Sequence, residues 1–465
     1  MISRRSFLAS LAAGTLPAAA APPMNLVLIL ADDLGGMDPG CYGSDLHETP
    51  NLDRLAGQGM RFSNACAAAP ICSPTRASIM TGKHPARLGM TIWSEGAISP
   101  TRDRRLLPAP SVPDMPLTEV TLAEKLRDRG FQSASIGKWH LGGPANYPEA
   151  QGFDLNIGGT HWGAPATYFY PYRGDFSSTR ELRYVPGLWG GKPGEYLTDR
   201  LTDEGIRFMR ASAGKPFFLY LAHHSVHTPI EAKADKIEKY KARIRPGMRH
   251  TNPVYAAMLE SLDESVGRVL GELDRLQLAD QTIVVFTSDN GGYINPFRGV
   301  AVTNNAPLRS GKGSLYEGGI RVPLIVRWPG MTRPGSISEE MVTSTDLYST
   351  LLGEPASTDG LSLQPLLRRD RQRLERDALC FHYPHYYPTT TPVSAIRTRE
   401  WKLLHYYEDG HDELYHLAQD PSETKDLSAA EPGRTAELRR RLDDWLKETG
   451  ARMPSPNPEF RPPAE

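Results

Sequence analysis

Cysteine is scarce in this sequence, which has only four in its 465 residues: Cys41, Cys66, Cys72 and Cys380. So few cysteines cannot build a fold that depends on disulfides. Together with the histidines they form no close quartet of the kind that structural zinc sites use. The chain must therefore rely on an ordinary hydrophobic core, and its length allows two domains.

The sequence also lacks long apolar runs and long basic runs. No internal stretch is long and apolar enough to span a bilayer, so we expect no stable membrane anchor. No long basic run occurs, and 53 Lys and Arg nearly balance 54 Asp and Glu, which argues against a nucleic-acid partner. The contents of hydrophobic (39%) and charged (23%) residues are those of an ordinary globular protein.

The N-terminus has the layout of an export signal. Arg4 and Arg5 precede a short apolar run and then small residues up to Ala21, which predicts a twin-arginine signal peptide over residues 1–21. We therefore expect export by the twin-arginine (Tat) machinery to a bacterial periplasm or to the cell exterior. That location would permit a Cys41–Cys66 disulfide, although nothing in the sequence tests the pair.

Short apolar runs alternate with helical patterns, which predicts an α/β fold with a large, mostly parallel sheet flanked by helices. The predicted strands are 24–31, 131–136, 216–222, 282–287 and 322–327. The predicted helices are 51–58, 121–129, 199–213 and 255–276. From about residue 370 the pattern changes to short strands at 378–383, 393–397 and 401–407 and one amphipathic helix at 435–449. We assign a catalytic domain to 22–370, a C-terminal α+β subdomain to 371–450 and a poorly ordered Pro-rich tail to 451–465.

Polar side chains follow the first four predicted strands. They are Asp32 and Asp33, Lys138 and His140, His227, and Asp289 and Asn290. Since ligands of open α/β sheets bind beyond the carboxyl ends of the strands, these distant residues are expected to meet at one edge. The carboxylate and amide oxygens among them suit a hard cation, Ca²⁺ or Mg²⁺, rather than zinc.

The segment around Cys72 suggests an anion-binding helix start. Ser73 is predicted to cap the helix and Pro74 to take its first position. The free N–H groups and the positive dipole end of a helix attract anions, and Arg76 adds a planar cation that fits an oxyanion. Cys72 itself is either a modifiable thiol or a small buried hydrophobic residue.

Cys72, Pro74 and Arg76, followed by Thr81 and Gly82, resemble the signature of the formylglycine-dependent (type I, arylsulfatase-like) sulfatases of the alkaline phosphatase superfamily. Segments 29–35, 49–56, 137–142, 287–291, 309–319 and 413–417 are similar to that family too, and the likeness spans about 25–449. The resemblance implies the alkaline-phosphatase-like fold, sulfate-ester hydrolysis and oxidation of Cys72 to formylglycine by a maturase.

The resemblance also implies the metal site and the handling of the nucleophile. One calcium ion, or less favourably magnesium, would bind Asp32, Asp33, Asp289, Asn290 and the modified Cys72. Asp289 would help to deprotonate the attacking hydroxyl of the hydrated formylglycine. Arg76 and Lys138 would hold that group and the metal region in place. His140 would deprotonate the second hydroxyl, which lets the aldehyde re-form and release sulfate.

The remaining implied roles concern the sulfate. Lys312, in a Gly-rich stretch, and His227 would bind it, and His227 would protonate the leaving oxygen. His223 and His224 are expected to be structural.

Two other functions stay open on the sequence alone. A phosphatase or phosphonate monoester hydrolase of the same fold would use Ser73 or Cys72 as nucleophile. A protein with unmodified Cys72 would bind sulfated glycans without hydrolysing them.

Aromatic and histidine side chains on long connections favour sulfated carbohydrates as substrates over the less selective action of a broad-specificity arylsulfatase. They are Trp93, His161, Trp162, Tyr168, Tyr170 and the cluster 381–387. The cluster could equally pack between the two domains.

Overall fold

The computed structural model describes residues 23–98, 103–176, 180–353 and 359–461, so the predicted signal peptide lies outside the described residues. The strands are β1 Asn25–Ala31, β2 Met60–Phe62, β3 Ala65–Cys66, β4 Leu106–Leu107, β5 Gln132–Gly137, β6 Leu155–Ile157, β7 Arg173–Phe176, β8 Glu181–Tyr184, β9 Phe217–Ala222, β10 Thr282–Ser288, β11 Leu324–Arg327, β12 Ser336–Ser338, β13 Val342–Thr343, β14 Leu379–Tyr383, β15 Val393–Arg397, β16 Trp401–Tyr406, β17 Asp412–His416 and β18 Ser455–Pro456. The α-helices are α1 Pro50–Gln58, α2 Cys72–Thr81, α3 Pro85–Leu88, α4 Leu122–Asp128, α5 Leu197–Ala211, α6 Ala234–Lys241, α7 Pro253–Arg275, α8 Glu317–Ile320, α9 Asp346–Leu352, α10 Gln364–Leu367 and α11 Pro432–Glu448. None of these helices combines the length and apolar character needed to cross a membrane.

Eight strands form the central sheet in the order β12-β2-β11-β10-β1-β9-β5-β6. Neighbours run parallel from β10 to β6 and between β12 and β2, which confirms the predicted mostly parallel sheet. The run 322–327, expected among the parallel strands, instead supplies β11, antiparallel to β10 and β2. The reason is that the connection after β10 stays at one edge, where the Gly291 N–H donates to the Gly319 carbonyl, so the next strand must run back.

Helices cover both faces of the sheet, and this explains why every residue of β1 is buried. Because successive side chains of a strand point to opposite faces, Val27 and Ile29 pack in the cluster that contains Leu262 of α7. Leu28 packs on the other face with Met80 of α2. The two layers hold the ends of β1 and its neighbours fixed at the edge where the polar residues lie.

The C-terminal part forms the predicted antiparallel sheet, β14-β15-β16-β17, with one helix against it. Leu438, Leu442 and Leu446 of α11 pack on one face. On the other face Phe381 and Tyr383 are buried in a cluster with residues of the larger sheet's connections. These two aromatic residues therefore take the packing role that the sequence left open.

One expectation about the chain outside the central sheet is wrong, and one question that the sequence left open is answered. The tail from 451 was predicted to be poorly ordered, but β18 pairs with β4 and the Asn457 side chain donates a 2.8 Å hydrogen bond to the Arg104 carbonyl. All four cysteines are described and all are free, so Cys41 and Cys66 are not bonded.

Candidate active site

The predicted residues from four strand ends meet at one edge of the central sheet, together with Cys72 at the start of α2. The Cys72 Sγ, one carboxylate oxygen each of Asp32 and Asp33, and one ring nitrogen of His227 all lie within 4.8 Å of one another. Lys312 joins them from the long connection between β10 and β11. The strand-end rule therefore located most of this cluster correctly.

Helix α2 begins at Cys72, two residues earlier than expected, and Ser73 is not its cap. Ile71 occupies the N-cap position without a side-chain hydrogen bond, and every residue of the helix is buried. The Ser73 hydroxyl instead donates a 2.7 Å hydrogen bond to the carbonyl oxygen of His140. Pro74 lies in the first turn, where its missing N–H costs no helical hydrogen bond.

Arg76 ties three of the strand ends together. Its Nε donates to Asp289 Oδ2 at 2.8 Å, and one terminal nitrogen donates to the Lys138 carbonyl at 2.9 Å. Its other terminal nitrogen lies 3.9 Å from Asp32 Oδ1, and Lys138 Nζ donates to Asp32 Oδ2 at 2.7 Å. With none of its side chain exposed, Arg76 orients Asp289 rather than contacting a substrate directly.

Asp33 is the second centre of the cluster. Lys312 Nζ lies 2.7 Å from Asp33 Oδ1 and 2.9 Å from Oδ2. The Asn290 side-chain amide donates to Oδ1 at 2.8 Å, and His227 Nε2 lies 3.6 Å from Oδ2. The Nδ1 of His227 donates to the Thr228 carbonyl at 2.8 Å, which fixes the ring so that Nε2 faces the site.

The electrostatics of the site disfavour a negative charge on Asp32. Burial and the neighbouring carboxylates of Asp289 and Asp33 raise the pKa of Asp32 to about 7, although Lys138 opposes them. Burial alone would raise the pKa of Asp33 too, but Lys312, His227 and Lys138 outweigh it and lower that pKa to about 2. A further cation beside Asp32 would relieve the crowding of the carboxylates.

The residues present fit a hard metal ion. Asp32 Oδ1 and Asn290 Oδ1 are buried and have no hydrogen-bond partner, which leaves two oxygen donors free in a site where an unpaired polar atom is costly. Asp33 and Asp289 add carboxylate oxygens beside them. Such an oxygen-rich set suits Ca²⁺ or Mg²⁺.

His140 lies at the border of the cluster and points to a partner that the sequence did not reveal. Its Nε2 lies 3.4 Å from Glu95 Oε2, while its Nδ1 is buried without a partner. Burial and Lys138 lower the pKa of His140 to about 4. A Cβ at Gly163 would lie 2.5 Å from the ring, so only glycine allows the His140 ring to occupy this place.

The aromatic residues expected at the pocket mouth divide into two groups. Trp93 and Tyr387 contact each other edge to face, with their ring centroids 5.9 Å apart. Tyr387 packs on Gly313 next to Lys312. The expectation is wrong for Tyr168, which is fully buried and whose hydroxyl donates to the His227 carbonyl at 2.9 Å.

The other expected rim residues lie further out. Trp162 donates through Nε1 to Glu181 at 2.9 Å and contacts the tilted ring of His161, whereas Tyr170 packs against the core. His223 and His224 are buried beneath the site. In the cluster 381–387, His385 bonds Thr91 and Tyr386 bonds Glu408, away from Lys312.

Comparison with known proteins agrees with this geometry. The family model "Sulfatase" matches residues 24–353, and the model "N-sulphoglucosamine sulphohydrolase, C-terminal" matches residues 311–451. The chain is 34% identical to arylsulfatase A of Homo sapiens, over 94% of this chain and 89% of that protein. It is 32% identical to a sulfatase of Formosa agariphila, over 91% of this chain and 88% of that protein.

Comparison with a solved structure supports the same assignment of the fold. The crystal structure of Ps i-CgsB in complex with k-i-k-neocarrahexaose superposes with a TM-score of 0.75 and 30% identity, over 92% of this chain and 93% of that one. The chain belongs to the sulfatase family and is a sulfuric ester hydrolase of the alkaline-phosphatase-like fold.

Proposed function

We propose that this enzyme cleaves sulfate monoesters of carbohydrates through a formylglycine formed from Cys72, with one calcium ion held by Asp32, Asp33, Asp289 and Asn290. The observation that carries the proposal is the cluster within 4.8 Å that joins the Cys72 sulfur to the carboxylates of Asp32 and Asp33. A hydrated formylglycine would supply the hydroxyl that attacks sulfur and a second hydroxyl that allows sulfate to be released, and the calcium ion would polarise the sulfate.

Lys312 and His227 are placed to bind the sulfate group. Both lie against Asp33 on the same side of the cluster, so a sulfate between them would gain two positive or hydrogen-bonding partners. Because Nδ1 of His227 already donates to a carbonyl, only Nε2 can deliver a proton to the leaving oxygen. The negative charge of the substrate favours the protonated ring that this step requires.

Asp289 and His140 are the proposed bases for the two hydroxyls at position 72. Arg76 holds Asp289 through a 2.8 Å ion pair, which fixes the carboxylate in one orientation. Glu95 accepts from Nε2 of His140, so the unpartnered Nδ1 is the atom that can take a proton. Lys138 holds Asp32 in place through a 2.7 Å hydrogen bond.

Two observations support a carbohydrate substrate. The similar protein Ps i-CgsB was crystallised with k-i-k-neocarrahexaose. In this chain Trp93 and Tyr387 form an aromatic pair next to Lys312, and such side chains suit the faces of sugar rings. We propose that the Trp93–Tyr387 pair contacts the sugar that carries the sulfate.

Cys72 is only 2% exposed, so the maturase that oxidises it would have to act before the site closes. Export by the Tat machinery, which carries folded proteins, would then follow modification in the cytoplasm and deliver the enzyme to the periplasm or the exterior. Both partners are part of the proposal.

The test combines mass and turnover. Conversion of Cys72 lowers the mass of its peptide by roughly eighteen daltons, and the modified protein should hydrolyse an aryl sulfate much faster than an aryl phosphate. The Cys72→Ala variant should lose the sulfatase activity. An unmodified peptide in an active enzyme, or a preference for the phosphate, would refute the proposal, whereas an unmodified and inactive protein that binds sulfated glycans would identify a binding protein. A screen of defined sulfated oligosaccharides then identifies the sugar.

A further inference from the structure

A second group of metal-ligating side chains lies outside the active site. It consists of Asp38, His47 and His250, which offer one ligand atom each, all within 4.8 Å of one another. The three are 0%, 6% and 2% exposed. They come from three separate segments: the turn after β1, the loop before α1 and the loop before α7. Nothing in the proposed reaction uses them.

We propose that Asp38, His47 and His250 bind one divalent metal ion of the zinc class. Two imidazole nitrogens and one carboxylate oxygen are a known ligand set for Zn²⁺, with water as the fourth ligand. The set differs from the oxygen donors of Asp32, Asp33, Asp289 and Asn290, so the two sites are expected to select different ions.

The hydrogen bonds of Asp38 leave one acceptor position for a metal. A carboxylate has about four lone-pair sites. Oδ2 accepts from the Gly35 N–H at 2.8 Å and from the Tyr255 hydroxyl at 2.6 Å, and Oδ1 accepts from the Thr303 hydroxyl at 2.7 Å. The remaining position is on Oδ1, which is the oxygen that faces His250 Nε2 at 3.4 Å.

His250 has the arrangement of a histidine oriented to bind a metal. Its Nδ1 lies 2.7 Å from Asp45 Oδ1, and its Nε2 is buried without a hydrogen-bond partner. A carboxylate that holds the far nitrogen of a metal-binding histidine is the usual outer partner in zinc sites. Asp45 therefore fixes the tautomer that leaves the Nε2 lone pair free.

His47 is held in the same manner. Its Nδ1 lies 2.9 Å from the main-chain carbonyl of Asp38, which can only accept, so Nδ1 carries the proton. Burial lowers the pKa of His47 to about 4, and the neutral ring is the form that binds metals. A surface cavity of about 630 Å³ is lined in part by His47.

A proton is the competing occupant. Burial lowers the pKa of His250, but the carboxylates of Asp38 and Asp45 beside the ring outweigh it and raise that pKa, so an imidazolium could bridge the two carboxylates without any metal. A dication between neutral rings would balance the charges of Asp38 and Asp45 fully, whereas the proton balances only one of them. Asp38 also accepts a hydrogen bond from the Gly35 N–H. A metal bound to Asp38 would therefore stabilise the turn that carries Asp33.

The experiment measures zinc in the full-length protein after dialysis against Zn²⁺ with calcium present, by elemental analysis. We expect about one zinc per chain in the wild type and in His227→Gln, which alters only the active-site cluster, and little in His47→Gln and His250→Gln. No zinc in the wild type, or equal zinc in His250→Gln, would overturn the proposal in favour of the proton. Loss only in His227→Gln would place the zinc in the active site and also overturn it.

If a variant fails to fold, the wild type alone still decides the question. Co²⁺ bound by two imidazoles and a carboxylate in tetrahedral geometry gives a strong visible absorption, and Zn²⁺ should displace it. Absence of that absorption would refute the site. Neither measurement depends on sulfatase activity, so failure of the proposed function would not affect the result.

Discussion

The hydroxyl of Thr389 donates a 2.7 Å hydrogen bond to the main-chain carbonyl oxygen of Lys312. Thr389 belongs to the connection between β14 and β15 of the C-terminal sheet, whereas Lys312 contacts Asp33 in the active site. Gly313, at φ +85°, lets the ring of Tyr387 pack directly on the same segment. The C-terminal sheet therefore positions the lysine proposed to bind sulfate.

Replacing Thr389 by valine should weaken substrate binding more than turnover. The change removes one hydrogen bond worth about 1 kcal/mol, so we expect kcat/KM to fall about fivefold, mainly through KM. Thr389→Ser keeps the hydroxyl and should restore most of the loss in steady-state assays with a sulfate ester. Equal kinetics for the valine and serine variants would show that the hydrogen bond does not matter.

Glu95→Gln should lower kcat by about tenfold, because His140 would lose the charged acceptor that orients it as a base. Glu181→Gln is the matched control. Glu181 bonds the same Arg183 as Glu95 does, and no hydrogen bond between it and His140 is present. If the control lost as much activity as Glu95→Gln, the effect would come from Arg183 and not from His140.

The residues that the sequence could not reveal share a physical feature. Asp32, Asp33, Asp289 and Asn290 were predictable because parallel strands bring their carboxyl ends together. Glu95 reaches His140 across 45 residues and Thr389 reaches Lys312 across 77 residues. These contacts lie between irregular connections, whose sequences have no helix or strand periodicity from which a contact could be predicted.

The errors have similar causes. Serine is a residue type that often caps helices. The hydroxyl of Ser73 instead donates a hydrogen bond to the carbonyl oxygen of His140, which is distant in sequence. Tyr168 and the tail lie in irregular segments, where the sequence does not show which side chains face the core.

Glu317 should be essential for the stability of the join between the two sheets. It is 1% exposed and pairs with Arg397 at 2.9 Å and Lys402 at 3.1 Å. Glu317→Gln would remove the carboxylate that pairs with the buried Arg397 and one of the two carboxylates that pair with Lys402, so we expect the free energy of unfolding to fall by about 3–5 kcal/mol in denaturant titrations. The exposed ion pair that Glu437 forms provides the control. Glu437→Gln should change the free energy of unfolding by less than about 0.5 kcal/mol.

The contribution of Glu317 to the free energy of unfolding should decrease at acidic pH. Burial would raise the pKa of Glu317, but Arg397, Lys402 and Arg321 hold it well below its usual value of 4.5. A depressed pKa in the folded state stabilises the protein fully above 4.5, and the stabilisation is lost as the pH falls below that value. The difference in unfolding free energy between wild type and Glu317→Gln should be constant from neutral pH to 4.5 and shrink below it. A difference that grows on acidification would contradict the assignment.

Removal of the proposed calcium ion should inactivate and destabilise the enzyme. Asp32 Oδ1 and Asn290 Oδ1 are buried without partners, and an ion that binds only the folded state stabilises it by about 2.7 kcal/mol at a concentration one hundred times its Kd. We expect chelator-treated protein to lose activity and to unfold at a lower temperature, and Ca²⁺ to restore both more completely than Mg²⁺. The Asp32→Asn variant keeps the shape of the side chain but removes a charge, so its unfolding temperature should respond little to Ca²⁺. A response equal to that of the wild type would show that the ion binds elsewhere.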